Sequence, residues 1–403
     1  MTIPEKLITR RFFSLVLLTL MSFSVIGDPL VSTVKLPYGG IRPQAAIDAS
    51  GTIHIVQSES AKRGDLVYLK FDPETKEFSK PIPVLNTAKG MAAGFNMTVS
   101  SDGRVHVIIR PNPRYSKLAM GVNAYDEMFN SKQRFFVLKY MLHTRLNDEG
   151  TAFETEKNII GKTMGFEGVG SVVAEPDSKI VYAFWAGQLK PGPEMERDMY
   201  MALSQNEGRD WSEPKKLSVD IQGNCRCCPI HASMDQRGHL FVVYRNSVKT
   251  SPTSWNKNTY VLKSTNKGKT WTKKLIQKWE NCGCPGAIYS MSHSTTRTLV
   301  GFRTRGISSF ADANDPSFII QAPNSGNASS RPIVSTNKNG EIVFCWIEGQ
   351  DVLWQAYNKD GRVMKNLKGR LKGKAVKWSN GSLVATARNN FILFYDDSYH
   401  KSR

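Results

Sequence analysis

The stretches SQNEGRDW at positions 204–211 and STNKGKTW at positions 264–271 decide the fold of this 403-residue chain. Both follow the pattern Ser-x-Asn-x-Gly-x-x-Trp, and 60 positions separate them. An asparagine side chain can bond to the backbone two residues further on, and glycine supplies the positive φ that a tight turn needs. The tryptophan can then fold back over the turn. We therefore predict that each stretch is the turn of a β-hairpin, and we call the two stretches the repeat turns.

A hairpin signal also recurs along the whole chain. Each unit has a short strand, a turn with Asp or Asn and Gly, and a strongly apolar strand. The seven units cover 45–56, 97–108, 171–185, 231–244, 288–302, 333–346 and 376–387. Their spacing of roughly 40 to 75 residues is typical of propeller blades. The sequence therefore predicts an all-β fold, a single β-propeller built from four-stranded antiparallel blades.

The two ends of the chain indicate how the ring closes. The last unit lacks an outer strand, whereas the segment 31–36 has a strand pattern without a partner. Pairing these two segments would close the ring and remove a free sheet edge. This gives seven blades, which we favour over six. Because no linker rich in Pro, Gly or Ser divides the chain, residues 28–403 are expected to form one domain.

Residues 1–27 have the pattern of a secretory signal peptide. Lys6, Arg10 and Arg11 precede an apolar run over 12–26, and small residues follow it. The run is too short to span a membrane comfortably, and no later run is long enough. We therefore expect an exported protein, periplasmic or extracellular, with no transmembrane segment in the mature chain.

The formal net charge of +19 limits the partners. A basic exported protein favours an acidic glycan or another polyanion, although a lysine-rich solvated surface would give the same charge. No nucleic-acid-binding motif accompanies the charge, so we expect no nucleic-acid partner.

Strand direction sorts the loops of such a propeller onto two faces. In a blade whose strands A to D run outwards from the centre, the A–B and C–D turns share one face, and the repeat turns are C–D turns. The B–C loops and the D–A crossings between blades lie on the other face, which we call the mouth face. The sequence predicts B–C loops over 110–134, 187–198, 246–259 and 303–315. Pockets in propellers form where such loops converge.

Several arginines end or begin apolar strands at the level of the mouth face. A guanidinium binds a carboxylate or sulfate through two parallel hydrogen bonds, so a ring of arginines would hold an anionic sugar. The alternative is a set of salt bridges between blades, to acids such as Asp198, Asp312 or Glu348. The candidate substrate-binding residues are Arg42, Arg110, Arg245, Arg303, Arg331 and Arg388.

The repeat turns resemble the Asp boxes, or BNR repeats, of sialidase-like β-propellers, a family that usually has six blades. The stretches from Cys225 to Pro285 and from Trp346 to Arg362 are similar to a cysteine-bearing branch of bacterial secreted members. The resemblance implies a propeller that binds, and in the catalytic members hydrolyses, an acidic glycan as an exo-α-sialidase. The residues at the motif positions are Ser204, Asn206, Gly208 and Trp211 in the first turn, and Ser264, Asn266, Gly268 and Trp271 in the second.

The resemblance also implies a catalytic set of an Asp acid/base and a Tyr nucleophile paired with a Glu, beside three arginines. One of those arginines lies in an Arg-Ile-Pro motif that opens the first blade. Ile41-Arg42-Pro43 contains the same residues with the first two exchanged, which would turn the arginine to the other face of a regular strand. The candidate catalytic residues are Tyr244, Glu348 and Asp198, with Tyr38, Tyr289, Glu59 and Glu167 on the same face.

Five cysteines fall in the two neighbouring crossings before blades four and five, so their sulfurs should lie close together. In an exported protein the first interpretation is disulfides that pin the two crossings, in a connectivity that the sequence leaves open, and the odd count leaves at least one thiol over. The other interpretation is a thiolate site for Zn or Cu, with His231 or His293 adding a nitrogen; no other cofactor is expected. Cys345, in an apolar strand, is expected to be a buried, inert thiol. The five are Cys225, Cys227, Cys228, Cys282 and Cys284.

Three functions therefore stay open at this point. The first is a sialidase-like glycoside hydrolase, and the second is a non-catalytic propeller that binds anionic carbohydrate. The third is a propeller linked to metal or redox chemistry and organised by the cysteine cluster.

Overall fold

The computed structural model describes residues 29–39, 41–59, 64–121, 123, 140–164, 168–176, 179–190, 192–225, 228–280, 288–323, 329–374 and 381–396. These residues form seven β-sheets, which are the blades of a β-propeller, together with one two-stranded hairpin. The predicted all-β class and the predicted seven blades are confirmed.

The first four blades follow each other along the chain, each from its inner to its outer strand. Blade 1 contains β2 (Ile41–Ile47), β3 (Ile53–Ser58) and β4 (Leu66–Asp72), and two short pieces, β5 (Glu77–Phe78) and β6 (Ile82–Pro83), both pair with β4. Blade 2 contains β7 (Ala92–Val99), β8 (Val105–Pro111), β9 (Leu142–Arg145) and β10 (Lys157–Asn158). Blade 3 contains β11 (Ser171–Ala174), β12 (Val181–Gly187), β13 (Asp198–Ser204) and β14 (Lys215–Lys216). Blade 4 contains β15 (His231–Met234), β16 (Leu240–Arg245), β19 (Thr259–Ser264) and β20 (Thr272–Gln277), with the hairpin β17 (Val248–Lys249) and β18 (Trp255–Asn256) inserted.

The remaining blades complete the ring. Blade 5 contains β21 (Ser290–His293), β22 (Thr298–Thr304), β23 (Ile307–Asp312) and β24 (Ile319–Gln321). Blade 6 contains β25 (Ser329–Thr336), β26 (Ile342–Glu348), β27 (Asp351–Tyr357) and β28 (Val363–Leu371). Blade 7 contains β29 (Ser382–Ala385), β30 (Phe391–Tyr395) and, as its third strand, β1 (Val31–Lys35).

The N-terminal strand closes the ring, as predicted, but it does so in parallel. Val31 lies opposite Phe391, and Lys35 lies opposite Tyr395, so β1 covers β30 along its whole length. Among the described residues, the closing blade therefore has three strands, in the order β1, β30 and β29. The pairing of β1 with β30 is parallel, unlike the antiparallel pairing predicted for the blades. The seventh hairpin also begins later than the predicted 376–387, since its second strand is β30.

The connections between second and third strands differ widely in length. In blade 2 this connection carries the helix α1 (Pro113–Met120), which begins after Asn112 because the Asn112 side chain accepts a hydrogen bond from the Arg114 backbone N–H over 3.0 Å. The predicted loop over 303–315 is wrong. Arg305 and Gly306, both at positive φ, form a two-residue turn of the kind that joins hairpin strands, and β23 follows immediately.

Apolar clusters fill the contacts between neighbouring blades. In the described part of the chain there are seven such clusters, one for each contact around the ring. Between blades 3 and 4, for example, Phe184 packs in one cluster with Val242. Between blades 7 and 1, Ile392 packs with Ile53, so the closing contact is as apolar as the others. Burying the apolar faces of both sheets at every contact makes the ring one cooperative unit.

Polar side chains on the inner strands join the blades from within. Such a side chain bonds to the backbone of the next inner strand around the ring, at distances of 2.7 to 3.0 Å. These bonds satisfy backbone groups of the inner strands that would otherwise line the channel unpaired. The pairs run from Ser382 to Ala45, from Gln44 to Phe95 and Met97, from Asn96 to Val172, from Ser171 to Ala232, and from Ser290 to Val334.

Each repeat turn joins a third strand to an outer strand, β13 to β14 and β19 to β20. In the first, the Gly208 N–H donates to Ser204 Oγ over 2.8 Å and the Asp210 N–H donates to Asn206 Oδ1 over 2.9 Å. The second turn repeats both bonds, each at 2.9 Å. The tryptophans differ: Trp271 donates to Gly268 O of its own turn, whereas Trp211 contacts a histidine of blade 2.

We expect Gly208→Ala to destabilise the propeller through contact as well as conformation. Gly208 has a φ of 80°, and an added Cβ would lie 2.5 Å from His143 Cε1. Gly238→Ala is the matched control, because Gly238 has a φ of 76° and open space around its Cβ position. The control should cost about 1 kcal/mol in unfolding free energy and Gly208→Ala about 2 kcal/mol more. Equal losses in chemical unfolding would contradict the packing of this turn on blade 2.

Candidate functional site

The inner strands β2, β7 and β25 each open with an irregular register at the mouth face, and β2 and β25 share one further feature. In β2 the pairing moves from Ile41 opposite Ser58 to Gln44 opposite Val56, and in β25 it moves from Ser330 opposite Ile347 to Ile333 opposite Cys345. Each strand thus contains one residue more than its partner, which is a β-bulge. In both cases the two residues of the bulge, which lie opposite a single residue of the partner strand, are Arg-Pro, and proline suits a bulge because it has no N–H to donate to the ladder.

Both arginines of these bulges adopt the left-handed conformation, with φ of 56° at Arg42 and 54° at Arg331. For a long side chain this backbone conformation costs about 1–3 kcal/mol and is typical of binding and active sites. The bulge also bears on the order of residues in Ile41-Arg42-Pro43, which in a regular strand would turn the arginine to the other face. An extra residue breaks the alternation of a regular strand, so a shift by one position no longer decides which way the side chain turns.

The charges of the two arginines act on each other. Arg42 is exposed, and its Nη1 donates to the Ala93 carbonyl at the start of β7 over 3.0 Å. Burial and then the positive charge of Arg42 lower the pKa of Arg331 to about 10. The inner strands that carry them flank blade 7. Two cations are therefore held near each other at the mouth face, where an anionic group would be stabilised by both.

The other predicted arginines have different surroundings. Arg110 is the second-last residue of β8, and Arg303 is the second-last residue of β22. Both side chains are half-buried. Burial and then the charge of Arg245 lower the pKa of Arg303. Arg245 is fully buried; its guanidinium donates to Tyr289 Oη, Thr259 Oγ1 and the Arg303 carbonyl, and lies 4.7 Å from the Trp279 ring centroid. Because Arg245 is fully buried and bonds to groups inside the protein, it suits a structural role rather than contact with a ligand.

The placement of Arg388 at the mouth face is wrong. Arg388 lies in the turn between β29 and β30, on the face of the repeat turns, and forms an ion pair with Glu74 in the turn after β4. The prediction failed because the seventh hairpin begins later in the chain than its sequence pattern indicated, which exchanges the two faces for residues near 388.

The structure does not bring the three predicted catalytic residues together. Tyr244 is fully buried between blades 3 and 4, where its hydroxyl donates to the Ile221 carbonyl over 3.0 Å, and burial raises its pKa. Asp198 lies on the third strand of blade 3 and forms an ion pair of 2.8 Å with Lys216 on the outer strand. Glu348 ends the second strand of blade 6, where it accepts a hydrogen bond of 2.8 Å from Trp346 Nε1. This arrangement does not suit a tyrosine nucleophile activated by a glutamate.

We expect Tyr244→Phe to lower the unfolding free energy by about 1–2 kcal/mol, because the buried Ile221 carbonyl loses its donor. Ligand binding at the mouth face should stay unchanged. Tyr260→Phe, in the half-buried ring stacked on Tyr244 at 5.8 Å, is the matched control. Glycan turnover that is present in the wild type and abolished by Tyr244→Phe at unchanged stability would restore Tyr244 as a nucleophile.

Two further tyrosines of the predicted set lie in contrasting surroundings. Tyr289 is buried, and burial raises its pKa to about 12 despite the guanidinium of Arg245. Tyr38 is 52% exposed and lies just before β2 with a φ of 60°. The Tyr38 ring is therefore presented to solvent within four positions of Arg42. Glu167 lies outside the described residues.

Two cysteines of the predicted cluster are described, and they lie against each other. The Cys228 thiol donates to Cys225 Sγ, with the two sulfurs 3.5 Å apart, and both side chains are buried. Cys227, Cys282 and Cys284 lie outside the described residues, so disulfides between the crossings stay a prediction. Cys345 is buried within β26, and burial raises the pKa of its thiol.

The predicted histidine ligands separate onto two faces. His231 begins β15 on the side of the cysteines, whereas His293 ends β21 on the face of the repeat turns and contacts Ser233 Oγ over 2.8 Å. Burial lowers the pKa of each to about 4. Both ring nitrogens of His293 contact hydroxyl groups, those of Ser233 and Thr298, and a role of either histidine as a metal ligand stays a prediction. Within the described residues, no group of three or more His, Cys, Asp or Glu side chains is arranged to hold a metal ion.

The inner strands also enclose a cavity of about 430 Å³, but it opens towards the face of the repeat turns. Its lining comes from inner strands and first turns, and its charged members are Asp48 and Lys338. Asp48 already accepts a hydrogen bond from His54 over 2.9 Å. One carboxylate and one ammonium do not favour an anionic ligand, so the arginine pair at the mouth face is the stronger candidate site.

Two features were not predicted from the sequence, the paired Arg-Pro bulges and the buried Lys257, and only the first has a sequence signal. The dipeptide Arg-Pro opens two inner strands, at 42–43 and 331–332, and its recurrence could have indicated paired bulges. Lys257, which is buried with 5% exposure against Cys225, has no such signal, because nothing in its neighbourhood distinguishes it from the many solvated lysines.

The fold and the site together define a seven-bladed β-propeller with a cationic mouth. No family model and no curated protein matches the sequence. In fold the chain is similar to a protein of unknown function from Dyadobacter fermentans, with a TM-score of 0.50 and 13% identity over 83% of this chain and 95% of that chain.

Two proteins that act on or bind sugars are also structurally similar. One is the Hadza microbial sialidase Hz136, with a TM-score of 0.46 and 11% identity over 80% of this chain and 69% of that one. The other is the Aleuria aurantia lectin, solved in complex with α-methyl-L-fucoside, with a TM-score of 0.44 and 8% identity over 85% of this chain and 97% of that one. At such identities these similarities concern the fold alone. No helix within the described ranges is long and apolar enough to cross a membrane.

Proposed function

We propose that the protein recognises an acidic glycan at its mouth face and that Arg42 and Arg331 bind the anionic group of that glycan. The observation that supports this proposal is the pair of Arg-Pro bulges, which hold two arginines in a costly backbone conformation although their charges repel each other. An arrangement that is unfavourable in the unliganded protein becomes favourable when an anion lies between the charges.

The chemistry of the surroundings favours a carbohydrate as the carrier of the anion. A guanidinium can bind a carboxylate or sulfate through two hydrogen bonds, which fixes orientation as well as charge. The exposed ring of Tyr38, four positions before Arg42 in the chain, offers an apolar surface with a polar tip, which suits one face of a sugar ring. The predicted export of the chain would bring the protein to glycans outside the cytoplasm.

Recognition without hydrolysis is the function that this arrangement supports best. The residues predicted to supply the nucleophile and the acid are buried or paired away from the arginines, as described above for Tyr244 and Asp198. A binding module needs only the arginines and the surface around them, and no proton transfer.

A glycan array that pairs sialylated, uronate-containing and sulfated glycans with their neutral counterparts tests the proposal. We expect binding to acidic members, weakened by added salt because exposed charges are screened. Equal binding to acidic and neutral glycans, or none to either, would refute the proposal. Release of the fluorophore from a fluorogenic sialoside would show that the protein is a hydrolase.

A further inference from the structure

The crossing that enters blade 4 places two cysteines beside a buried cation. Lys257 Nζ donates to Cys225 Sγ over 3.3 Å, and the Cys228 thiol donates to the same sulfur over 3.5 Å. Lys257 follows the hairpin β17–β18, and its backbone N–H bonds to the Trp279 carbonyl over 2.7 Å. The ammonium group is therefore held against the sulfur rather than extended into solvent.

A second buried cation, Arg245, lies near the same cysteines. The Cys225 backbone N–H donates to the Arg245 carbonyl over 2.9 Å, which ties the crossing to the end of β16. Burial by itself would lower the pKa of Arg245, yet that pKa is raised because Tyr289, Cys228 and Cys225 stabilise the guanidinium. The cysteine sulfurs therefore contribute to compensating a charge that is fully buried.

The Cys225 sulfur thus accepts from two donors, the Lys257 ammonium and the Cys228 thiol. Buried charges are costly unless they are paired, and a thiolate pairs with the ammonium of Lys257 while it accepts the Cys228 thiol. The same contact opposes a metal ion at these two sulfurs, because the metal and the ammonium would repel each other at such short range. Positions 225 and 228 also have the C-x-x-C spacing of redox-active pairs.

We propose that Cys225 and Cys228 form a reversible dithiol–disulfide couple and that Lys257 stabilises its reduced state. In the forward step, the Cys225 sulfur attacks glutathione disulfide or another disulfide, which releases one thiolate and leaves a mixed disulfide. The Cys228 thiol then loses its proton to solvent and attacks the Cys225 sulfur, which releases the second thiolate. The two protein sulfurs are oxidised and the donor disulfide is reduced to two thiols, and the sulfurs close from 3.5 Å to about 2 Å.

The test is an equilibrium redox titration of the full-length protein in buffers of reduced and oxidised dithiothreitol. Because both sulfurs are buried, the samples are equilibrated until the result no longer changes, then acid-quenched and alkylated. Trypsin cleavage after Arg226 separates Cys225 from Cys228, so mass spectrometry identifies a linkage between them. We expect a single two-electron transition, with the linkage lost on reduction and regained on reoxidation.

Variants separate the couple from the other interpretations of the cysteines. Cys227→Ser should retain the transition, whereas Cys228→Ser should abolish it. Lys257→Met should favour the disulfide about tenfold, which corresponds to a midpoint about 30 mV lower, because the ammonium no longer stabilises the reduced sulfur. Lys263→Met, in a lysine that contacts Asn314 and Phe241 instead, should leave the midpoint unchanged.

Two results would overturn the proposal. The first is a stable linkage of Cys225 or Cys228 to Cys282 or Cys284, as the disulfides between crossings would require. The second is stoichiometric metal in the purified protein that prevents oxidation of Cys225 and Cys228. An unchanged redox midpoint in Lys257→Met would refute the stabilising role of the lysine but not the existence of the dithiol–disulfide couple.

Discussion

The double variant Arg42→Gln/Arg331→Gln is expected to bind an acidic glycan at least about a hundredfold more weakly than the wild type, or not at all. Each arginine supplies a charge-assisted hydrogen bond worth about 1.5–3 kcal/mol, and both are lost. Glutamine keeps a long polar side chain and gains no relief from the left-handed backbone, so the comparison isolates the charge. Isothermal titration calorimetry at two salt concentrations measures the loss and its dependence on screening.

The same double variant should be as stable as the wild type or more stable, since the repulsion between the two guanidinium groups disappears. This gain in stability with a loss of binding is what strain at a functional site predicts. Arg388→Gln is the matched control, because it removes an exposed arginine on the opposite face and should leave binding unchanged. A double variant that unfolds more easily and still binds the glycan would show that the arginines are structural.

The second large effect is expected at Asn96, whose side chain joins three blades. Its Oδ1 accepts hydrogen bonds from the Ser171 hydroxyl and the Val172 N–H, each at 2.9 Å, and its Nδ2 donates to Gln44 Oε1 over 3.2 Å. Asn96→Ala leaves a buried backbone donor of the next blade without its acceptor. We expect a loss of about 3 kcal/mol in unfolding free energy.

Thr98→Ala provides the matched control for this substitution on the same strand. Thr98 Oγ1 accepts a single, longer hydrogen bond of 3.4 Å from the Ala174 N–H, between the same two blades. We expect a loss below about 1 kcal/mol. If chemical unfolding gave equal losses for the two variants, the bonds of Asn96 would not be what holds the inner strands together.

Local signals were sufficient for the architecture. Hairpin turns depend on residues a few positions apart, as in the bonds from Ser204 and Asn206 back to their own turn. Buried strands such as β26 are almost entirely apolar, here from Ile342 to Ile347, because both of their faces are covered, and this pattern can be recognised in a short stretch of sequence. The number of blades follows from counting such units.

The site depended on contacts that no local pattern encodes. The seventh hairpin begins later than predicted, which places Arg388 on the opposite face. The bulge at Arg42 means that the order Ile-Arg-Pro no longer argues against contact between this arginine and a ligand. Tyr244 has the residue type of a nucleophile, but its hydroxyl is buried against a carbonyl of the preceding crossing. These outcomes depend on register and on neighbours that are distant along the chain.

The sequence by itself determined the all-β class, the seven blades and the closure by the N-terminal strand, because turn chemistry and apolar alternation are local properties. Only the tertiary structure decided which charged and polar side chains lie close together. Arg42 and Arg331 are 289 positions apart and become neighbours when the ring closes through blade 7, so that each charge acts on the other. Lys257 and Cys225 meet because the hairpin and the crossing fold against each other, and burial then makes their contact strong.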